Sequence, residues 1–96
     1  MKLYVLVRKD LSISQRAVQA GHAVAEFCLR SPFSRWTNGT LVYLGVKGLT
    51  QLERIKYQLK EQDIGFIEFN EPDINNETTA IATDQHCKIF ERLNLL

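Results

Sequence analysis

The sequence has few of the features that mark specialised classes of protein. It contains two cysteines, two prolines and one tryptophan in 96 residues. No apolar run approaches the roughly 20 residues that a membrane-spanning helix needs. No secretory or transit segment precedes the first apolar run. We therefore expect a cytoplasmic protein with no membrane partner.

Familiar metal, nucleotide and nucleophile motifs are also missing. His22 and His86 stand alone, without the spacing of a zinc site. The chain contains no P-loop, GxGxxG or GxSxG sequence. Cys28 and Cys87 form no CxxC pair and lie in apolar patterns, which predicts two buried, reduced thiols. We expect neither a metal nor a cofactor.

The length and composition are those of one globular domain spanning residues 1–96. The net charge of +1 conceals an asymmetry, because residues 1–48 carry +5 and the remaining residues carry −4. A basic half that faces phosphates and an acidic half that performs chemistry would have this pattern. Sequence halves need not be separate faces of the fold, however, so the pattern can also arise by chance.

Four segments have the composition of β-strands: Lys2–Arg8, Thr40–Val46, Phe66–Phe69 and Thr79–Thr83. The spacing between the first two predicts a parallel crossover through a helix. The short connection between the last two predicts an antiparallel pair.

Three helices are predicted between and after these strands. The first runs from Ser14 to about Arg30, with Ser12 or Ser14 as its N-cap. The second begins with a capping box formed by Thr50 and Glu53 and ends near Gln62. The third begins at Thr83 or Asp84, ends near Leu93, and turns Cys87 and Phe90 inward.

The resulting order, β-α-β-α-β-β-α, predicts an α/β fold with a mixed four-stranded sheet between helices on both faces. This is a three-layer α/β/α arrangement. A ferredoxin-like plait is the alternative, but it requires the strand doublet earlier in the chain.

The first helix combines small residues with a polar stripe. Gln15, Gln19 and His22 recur at i, i+4 and i+7 and therefore share one side of the helix. That side faces either solvent or a functional site. The small residues predict close packing of the helix on the sheet. They are Ala17, Ala20, Gly21, Ala23 and Ala25.

Two loops carry the other notable side chains. In the connector after the first helix, Phe33 and Trp36 are expected to pack on the core, although beside Arg35 they could also stack on bases. The segment from Glu71 to Thr79 is rich in carboxylates, amides and hydroxyls. It is typical either of a polar turn or of a site where an Asp orients water and hydroxyls stabilise an oxyanion.

The chain resembles the class II peptidyl-tRNA hydrolases over nearly its whole length. The resemblance is carried by VLVRKDL at Val5–Leu11, by AVQAGHAVA with its QxxHA core at Gln19–Ala23, and by the late Asp-containing loop that leads into TAIAT. The family has a lysine four residues before the Gln, and this chain has Gln15 there. Its loop between the Asp and the last-strand threonine is also shorter than is usual in the family.

The resemblance implies hydrolysis of the ester bond of peptidyl-tRNA. It implies catalytic roles for Asp73, Thr79, Gln15 and Gln19. It also implies a set of substrate-binding residues, namely Arg8, Lys9, Arg16, His22 and Lys47.

Two other functions remain open from the sequence. One is a tRNA-binding or regulatory relative that has lost catalysis, because Gln15 replaces the family's lysine. The other is a small-molecule or protein-interaction domain on the same scaffold. Exposed sheet edges also make a homodimer possible.

Overall fold

The computed structural model describes all residues from Met1 to Leu96 and contains one four-stranded sheet. The strands are β1 (Lys2–Arg8), β2 (Thr40–Val46), β3 (Ile67–Glu71) and β4 (Glu77–Thr83). Their order across the sheet is β2-β1-β4-β3. β1 is parallel to β2, and β4 is antiparallel to both β1 and β3. The predicted mixed sheet and its strand directions are confirmed.

Two helices, α1 (Ile13–Arg30) and α2 (Leu49–Glu61), cover opposite faces of this sheet. The α1 face buries Leu3, Val5 and Val7 of β1 against Ala20 and Ala23. These two alanines allow the close approach that the sequence predicted. Ala17, Gly21 and Ala25 instead lie on the exposed side of α1. The α/β/α layering is therefore confirmed, but the small residues are divided between the two sides of α1.

The core on the α2 face is built from larger side chains. Leu52, Ile55 and Leu59 recur at i, i+3 and i+7 along α2 and pack on Leu6 and Ile81 of the sheet. Leu52, Leu59, Leu6 and Ile81 are fully buried. Burial of each such side chain contributes roughly 1.5–3 kcal/mol relative to exposure. This face therefore supplies much of the hydrophobic stabilisation of the domain.

The third predicted helix is wrong in type and length. The chain forms only a short 3-10 helix at Lys88–Arg92, although Cys87 and Phe90 are buried as predicted. Beyond it the backbone extends along β2, where Gly45 N–H donates to the Asn94 carbonyl and Leu96 N–H donates to the Tyr43 carbonyl. Pairing with the open edge of β2 satisfies backbone groups that a longer helix would leave unpaired on that strand.

The helix starts follow the predictions in part. Ser12 is the N-cap of α1, and its hydroxyl accepts from Gln15 N–H at 3.2 Å. The capping box at Thr50 does not form because α2 begins earlier, with Gly48 at the N-cap position. There the Gln51 side chain reaches back and accepts from Lys47 N–H at 2.6 Å.

Four side chains test the expected burial. Trp36 packs edge-on against Phe27 at 6.5 Å between ring centroids, and its indole N–H donates to the Thr40 carbonyl. Phe33, however, is 96% exposed, because the chain turns directly after α1. Cys28 is also exposed, since it lies on the outer side of α1, whereas Cys87 is buried. The predictions hold for Trp36 and Cys87 and are wrong for Phe33 and Cys28.

Candidate functional site

Most of the predicted site residues lie at one edge of the sheet, which is formed by the ends of the strands and not by an outer strand. β1, β2 and β3 end at this edge, β4 begins there, and both helices start there. In α/β domains, ligands bind beside the carboxyl ends of the strands, where loops and helix N-termini meet. The topology therefore places this edge where a site is expected.

Gln19 lies at the centre of a hydrogen-bonded cluster at this edge. Its amide oxygen accepts from the Thr79 hydroxyl at 2.6 Å. Its amide nitrogen donates to Glu71 Oε1 at 2.8 Å and to Gln15 Oε1 at 3.2 Å. Gln19 and Thr79 are fully buried, so both polar groups depend on these contacts. We call Gln15, Gln19, Glu71 and Thr79 the amide cluster.

The amide cluster fixes the orientation of its buried members and leaves polar atoms at its rim. Gln15 is exposed, and its Nε2 has no hydrogen-bond partner within the protein. Glu71 is half-buried and uses only one carboxylate oxygen within the cluster. The rim therefore offers one amide donor and one carboxylate acceptor to a ligand.

A β-bulge aims Thr79 at α1. Phe69 pairs with Ala80 and Asn70 pairs with Thr78, which leaves Thr79 as the extra residue on β4. Thr79 consequently reaches Gln19 on the α1 face, while Thr78 reaches Lys56 on the α2 face. Without the bulge, strict alternation would place Thr79 with Ile81 on the α2 face.

The polar stripe of α1 faces the edge strand β3. The ring of His22 stacks on Phe69 with 4.2 Å between centroids and 5° between planes. Gln19 contacts Glu71 two residues further along β3. The stripe therefore packs on an edge strand through Gln19 and His22, with Gln19 buried and both Gln15 and His22 exposed to solvent.

Arg8 is buried, with 6% of its surface exposed, and carries an ion-pair network. Its guanidinium donates to both oxygens of Asp10, at 3.0 and 2.7 Å, and to Glu77 at 2.7 Å. The hydrogen bonds from Arg8 lower the pKa of the Asp10 carboxyl. Those to Asp10 and then Glu77 raise the pKa of Arg8, against the opposing effect of burial. A guanidinium held in this way is not free to contact a phosphate.

The other predicted cations are arranged differently. Arg16 donates to the backbone carbonyls of Lys9 and Leu11 and so fixes the loop between β1 and α1. The stem of Lys9 lies across Gly45, where a Cβ would come within 2.6 Å of Lys9 Cδ. Lys47 is exposed just before α2. Arg16 forms no salt bridge, but its guanidinium is bound to these carbonyls, whereas the ammonium groups of Lys9 and Lys47 have neither a salt bridge nor a hydrogen bond within the protein.

A second polar network lies on the α2 face. The ammonium group of Lys56, a residue with 7% of its surface exposed, contacts Glu68 at 2.7 Å, Glu53 at 3.1 Å and the Thr78 hydroxyl at 3.0 Å. Burial opposes the charge of Lys56, but the bonds to Glu68 and Glu53 outweigh it and raise its pKa. Thr78 in turn donates to Asn70 Oδ1 at 2.9 Å. This network holds α2 to β3 and β4.

Asp73 lies outside the amide cluster, two residues beyond Glu71. It belongs to a single 3-10 turn, Pro72–Ile74, and is exposed. Asn75 and Asn76 follow with φ of 52° and 58°, a region that asparagine tolerates better than most residues. Asn76 N–H closes the turn by donating to the Glu71 carbonyl at 3.0 Å. The turn therefore presents Asp73 to solvent at the rim.

Glu71 is the site residue that the sequence does not single out. The turn is rich in carboxylates, and the family resemblance favours Asp73 over Glu71. Gln15 and Thr79 do meet through Gln19, as the predicted convergence requires, whereas Asp73 stays outside. The alternation along β3 could have identified Glu71, since Phe69 and Glu71 both face α1.

No three His, Cys, Asp or Glu side chains lie close enough together to hold a metal ion. No helix combines the length and hydrophobicity that a membrane span requires. Five surface cavities have volumes of about 340–430 Å³, and no residue of the amide cluster lines any of them.

The fold is similar to that of solved protein structures. A protein of unknown function from Agrobacterium tumefaciens strain C58 superimposes with a TM-score of 0.74 over 99% of this chain and 96% of the other. The two proteins share a fold. Their sequences are 15% identical, so the similarity extends to the fold alone. No protein-family model and no curated protein matches the sequence.

Proposed function

We propose that the protein hydrolyses the ester bond between a peptide and the 3′ ribose of tRNA, at the rim of the amide cluster. The proposal is supported chiefly by Gln19, whose buried amide connects Gln15, Glu71 and Thr79 into one oriented network beside the Asp73 turn. A buried glutamine amide with three side-chain partners is a preorganised polar group. The resemblance to class II peptidyl-tRNA hydrolases supplies the reaction.

In the proposed mechanism, Asp73 accepts a proton from water as the water oxygen attacks the ester carbonyl carbon. The developing oxyanion accepts a hydrogen bond from Gln15 Nε2, the free donor at the rim. The bond from carbon to the ribose oxygen then breaks, and the proton passes to that oxygen. The products are a peptide carboxylate and tRNA with a free hydroxyl.

Thr79 and Gln19 act as positioning residues in this proposal. Both are fully buried, so neither can touch the ester while the cluster is intact. Thr79 holds the oxygen of Gln19, and Gln19 in turn holds the oxygen of Gln15. This chain of contacts directs the free nitrogen of Gln15 outward. His22 stacks on β3, and Lys9 and Lys47 are the cations available for phosphate contacts.

The test is a peptidyl-tRNA hydrolysis assay of Asp73→Asn beside Asp63→Asn. Asp63 is a matched control because it is also exposed, follows α2, and has a positive φ of 56° that Asn tolerates. Loss of a general base should lower the rate by about 10²–10⁴-fold for Asp73→Asn. The Asp63 variant should keep the wild-type rate. Full activity of Asp73→Asn would refute the assignment.

A second candidate function is tRNA binding without catalysis. It is favoured by Gln15, which supplies a neutral amide where the family has a lysine cation. This function predicts tRNA affinity that weakens steeply with salt, with no release of peptide. Release of peptide by the wild-type chain separates the two functions, and a gain of hydrolysis in Gln15→Lys would show that the cluster adjoins a working site.

A further inference from the structure

Two adjoining cavities, of about 360 and 390 Å³, run along α2 on the face of the sheet opposite the amide cluster. They share Gln51 and Arg54 and together form one elongated groove. One wall is α2, which presents Gln51, Arg54 and Gln58 at i, i+3 and i+7. The other wall is the C-terminal 3-10 helix, which presents Lys88 and Arg92 at i and i+4.

The groove carries positive charge without a compensating carboxylate. Its cations are Lys47, Arg54, Lys88 and Arg92, and no Asp or Glu lines either cavity. None of these cations forms a salt bridge. Three neighbouring carboxylates are engaged elsewhere. Asp10, which lies beside Gly48, pairs with Arg8. Glu53 pairs with Lys56, and Glu91 contacts His86 Nε2 at 2.9 Å.

The positions of these cations in the chain show that the charge asymmetry of the sequence does not correspond to separate faces of the fold. Lys47 comes from the basic half of the chain, whereas Arg54, Lys88 and Arg92 come from the acidic half. The fold brings them together, while Glu68, Glu71 and Glu77 of the acidic half bind Lys56, Gln19 and Arg8. The basic surface therefore could not be found by comparing sequence halves.

We propose that this groove binds the phosphodiester backbone of RNA. Four cations without salt bridges along one groove can neutralise several phosphates of an RNA strand. The amides of Gln51 and Gln58 can donate to phosphate or ribose oxygens between them. Arg54 and Arg92 can each donate two parallel hydrogen bonds to one phosphate.

The shape of the groove favours RNA over an anionic membrane. Of its four apolar lining residues, Ile55 is 4% exposed and Leu49, Ile89 and Leu93 are only partly exposed, so the groove presents no prominent apolar side chain for insertion into a bilayer. A flat lipid surface would reach only the rim of a concave groove, whereas a strand of RNA can enter it.

The inference extends the proposed function by giving the RNA body of the substrate a binding surface. It rests on the proposed function only for the choice of tRNA as the probe. Binding is therefore measured with deacylated, fluorescein-labelled tRNA, which contains no ester to cleave. A failure of hydrolysis and a failure of groove binding are thereby separate results.

The experiment compares wild type with the triple variant Arg54→Gln/Lys88→Gln/Arg92→Gln by fluorescence anisotropy from 50 to 300 mM salt. Lys47 is left unchanged because it also belongs to the proposed substrate contacts. A second triple variant, Lys2→Gln/Arg30→Gln/Arg35→Gln, removes the same charge from exposed positions outside the groove. Circular dichroism checks that each variant is folded.

We expect the groove variant to bind at least tenfold more weakly. Its log–log salt slope should fall by about 2–3, because each neutralised phosphate adds about 0.7 to the slope for a single strand and about 0.9 for B-form DNA. The control variant should stay within threefold of wild type. Equal losses of tRNA affinity in both variants would show that net charge alone determines binding, which would overturn the proposal. Unchanged tRNA binding by the groove variant would overturn it too, as would groove-dependent binding to anionic vesicles without tRNA binding.

Discussion

The hydroxyl of Thr79 provides a sharp test of the amide cluster through Thr79→Val. Valine has nearly the shape of threonine, so the substitution leaves no cavity at this fully buried position. It removes the donor to Gln19 Oε1, now at 2.6 Å, and leaves that buried oxygen without its partner. An unsatisfied buried polar group costs about 1–3 kcal/mol. We expect the free energy of unfolding to fall by about 2 kcal/mol.

The matched variant is Thr79→Ser, which keeps the hydroxyl and loses one methyl group. Deleting a buried methyl costs about 1 kcal/mol. If the hydrogen bond dominates, the serine variant is therefore more stable than the valine variant. Hydrophobic burial alone ranks them in the opposite order, because valine buries more apolar surface. The order of the two urea midpoints decides between these explanations.

A double-mutant cycle with Gln19→Met isolates the contact itself. In the Thr79→Val background there is no Thr79 hydroxyl that could lose its acceptor when Gln19 is replaced. Glu71 and Gln15 lie near enough to solvent to bind water in place of the Gln19 amide. The cost of Gln19→Met should therefore be about 1–2 kcal/mol smaller there than in wild type. Additive costs, or a valine variant as stable as wild type, would refute the cluster as described.

Further predictions concern the two charge networks and Gln15. Arg8→Met should lower the free energy of unfolding by about 1–3 kcal/mol. This loss is smaller than the usual cost of breaking a buried ion pair, because Asp10 and Glu77 can regain contact with water. Urea titration measures this loss, and a neutral result would contradict it. The lowered pKa of Asp10 means that its stabilisation is present above its unfolded pKa near 3.9 and is lost as pH falls through the folded value. The difference in free energy of unfolding between wild type and Asp10→Asn should thus shrink at acid pH. A pH-independent difference would contradict the lowered pKa of Asp10. For Lys56, whose pKa is raised, the stabilisation is present below about pH 10.4 and is lost above it. Thermal melts of wild type and Lys56→Met should therefore converge as pH rises beyond that value. Gln15→Lys should raise the rate of peptidyl-tRNA hydrolysis, and a lower rate would count against the family comparison.

The order of elements could be predicted from the sequence because its signals are local. β1 and β2 are apolar runs of β-formers, and their boundaries agree with the prediction. α1 differs from its prediction by one residue at its start. The antiparallel direction of β3 and β4 followed from the length of their connection. Each of these features depends on neighbouring residues in the chain.

The features that could not be predicted depend on contacts between distant segments. The bulge at Thr79 is a feature of the pairing between β4 and β3, and nothing in the local sequence marks it. The last segment has a helical pattern, yet it extends to pair with β2. Arg8 has the sequence context of an available cation, but the fold encloses it between Asp10 and Glu77. The alternation along β3 places Glu71 on the α1 face, but its hydrogen bond to Gln19 of the distant α1 is not visible in the sequence.

The central claim is that the rim of the amide cluster hydrolyses peptidyl-tRNA. The most direct measurement is a single-turnover assay with purified protein in excess over labelled peptidyl-tRNA. We predict release of peptide well above the rate without enzyme. A chain that binds tRNA but leaves the ester intact at concentrations where a positive-control hydrolase completes the reaction would contradict the claim.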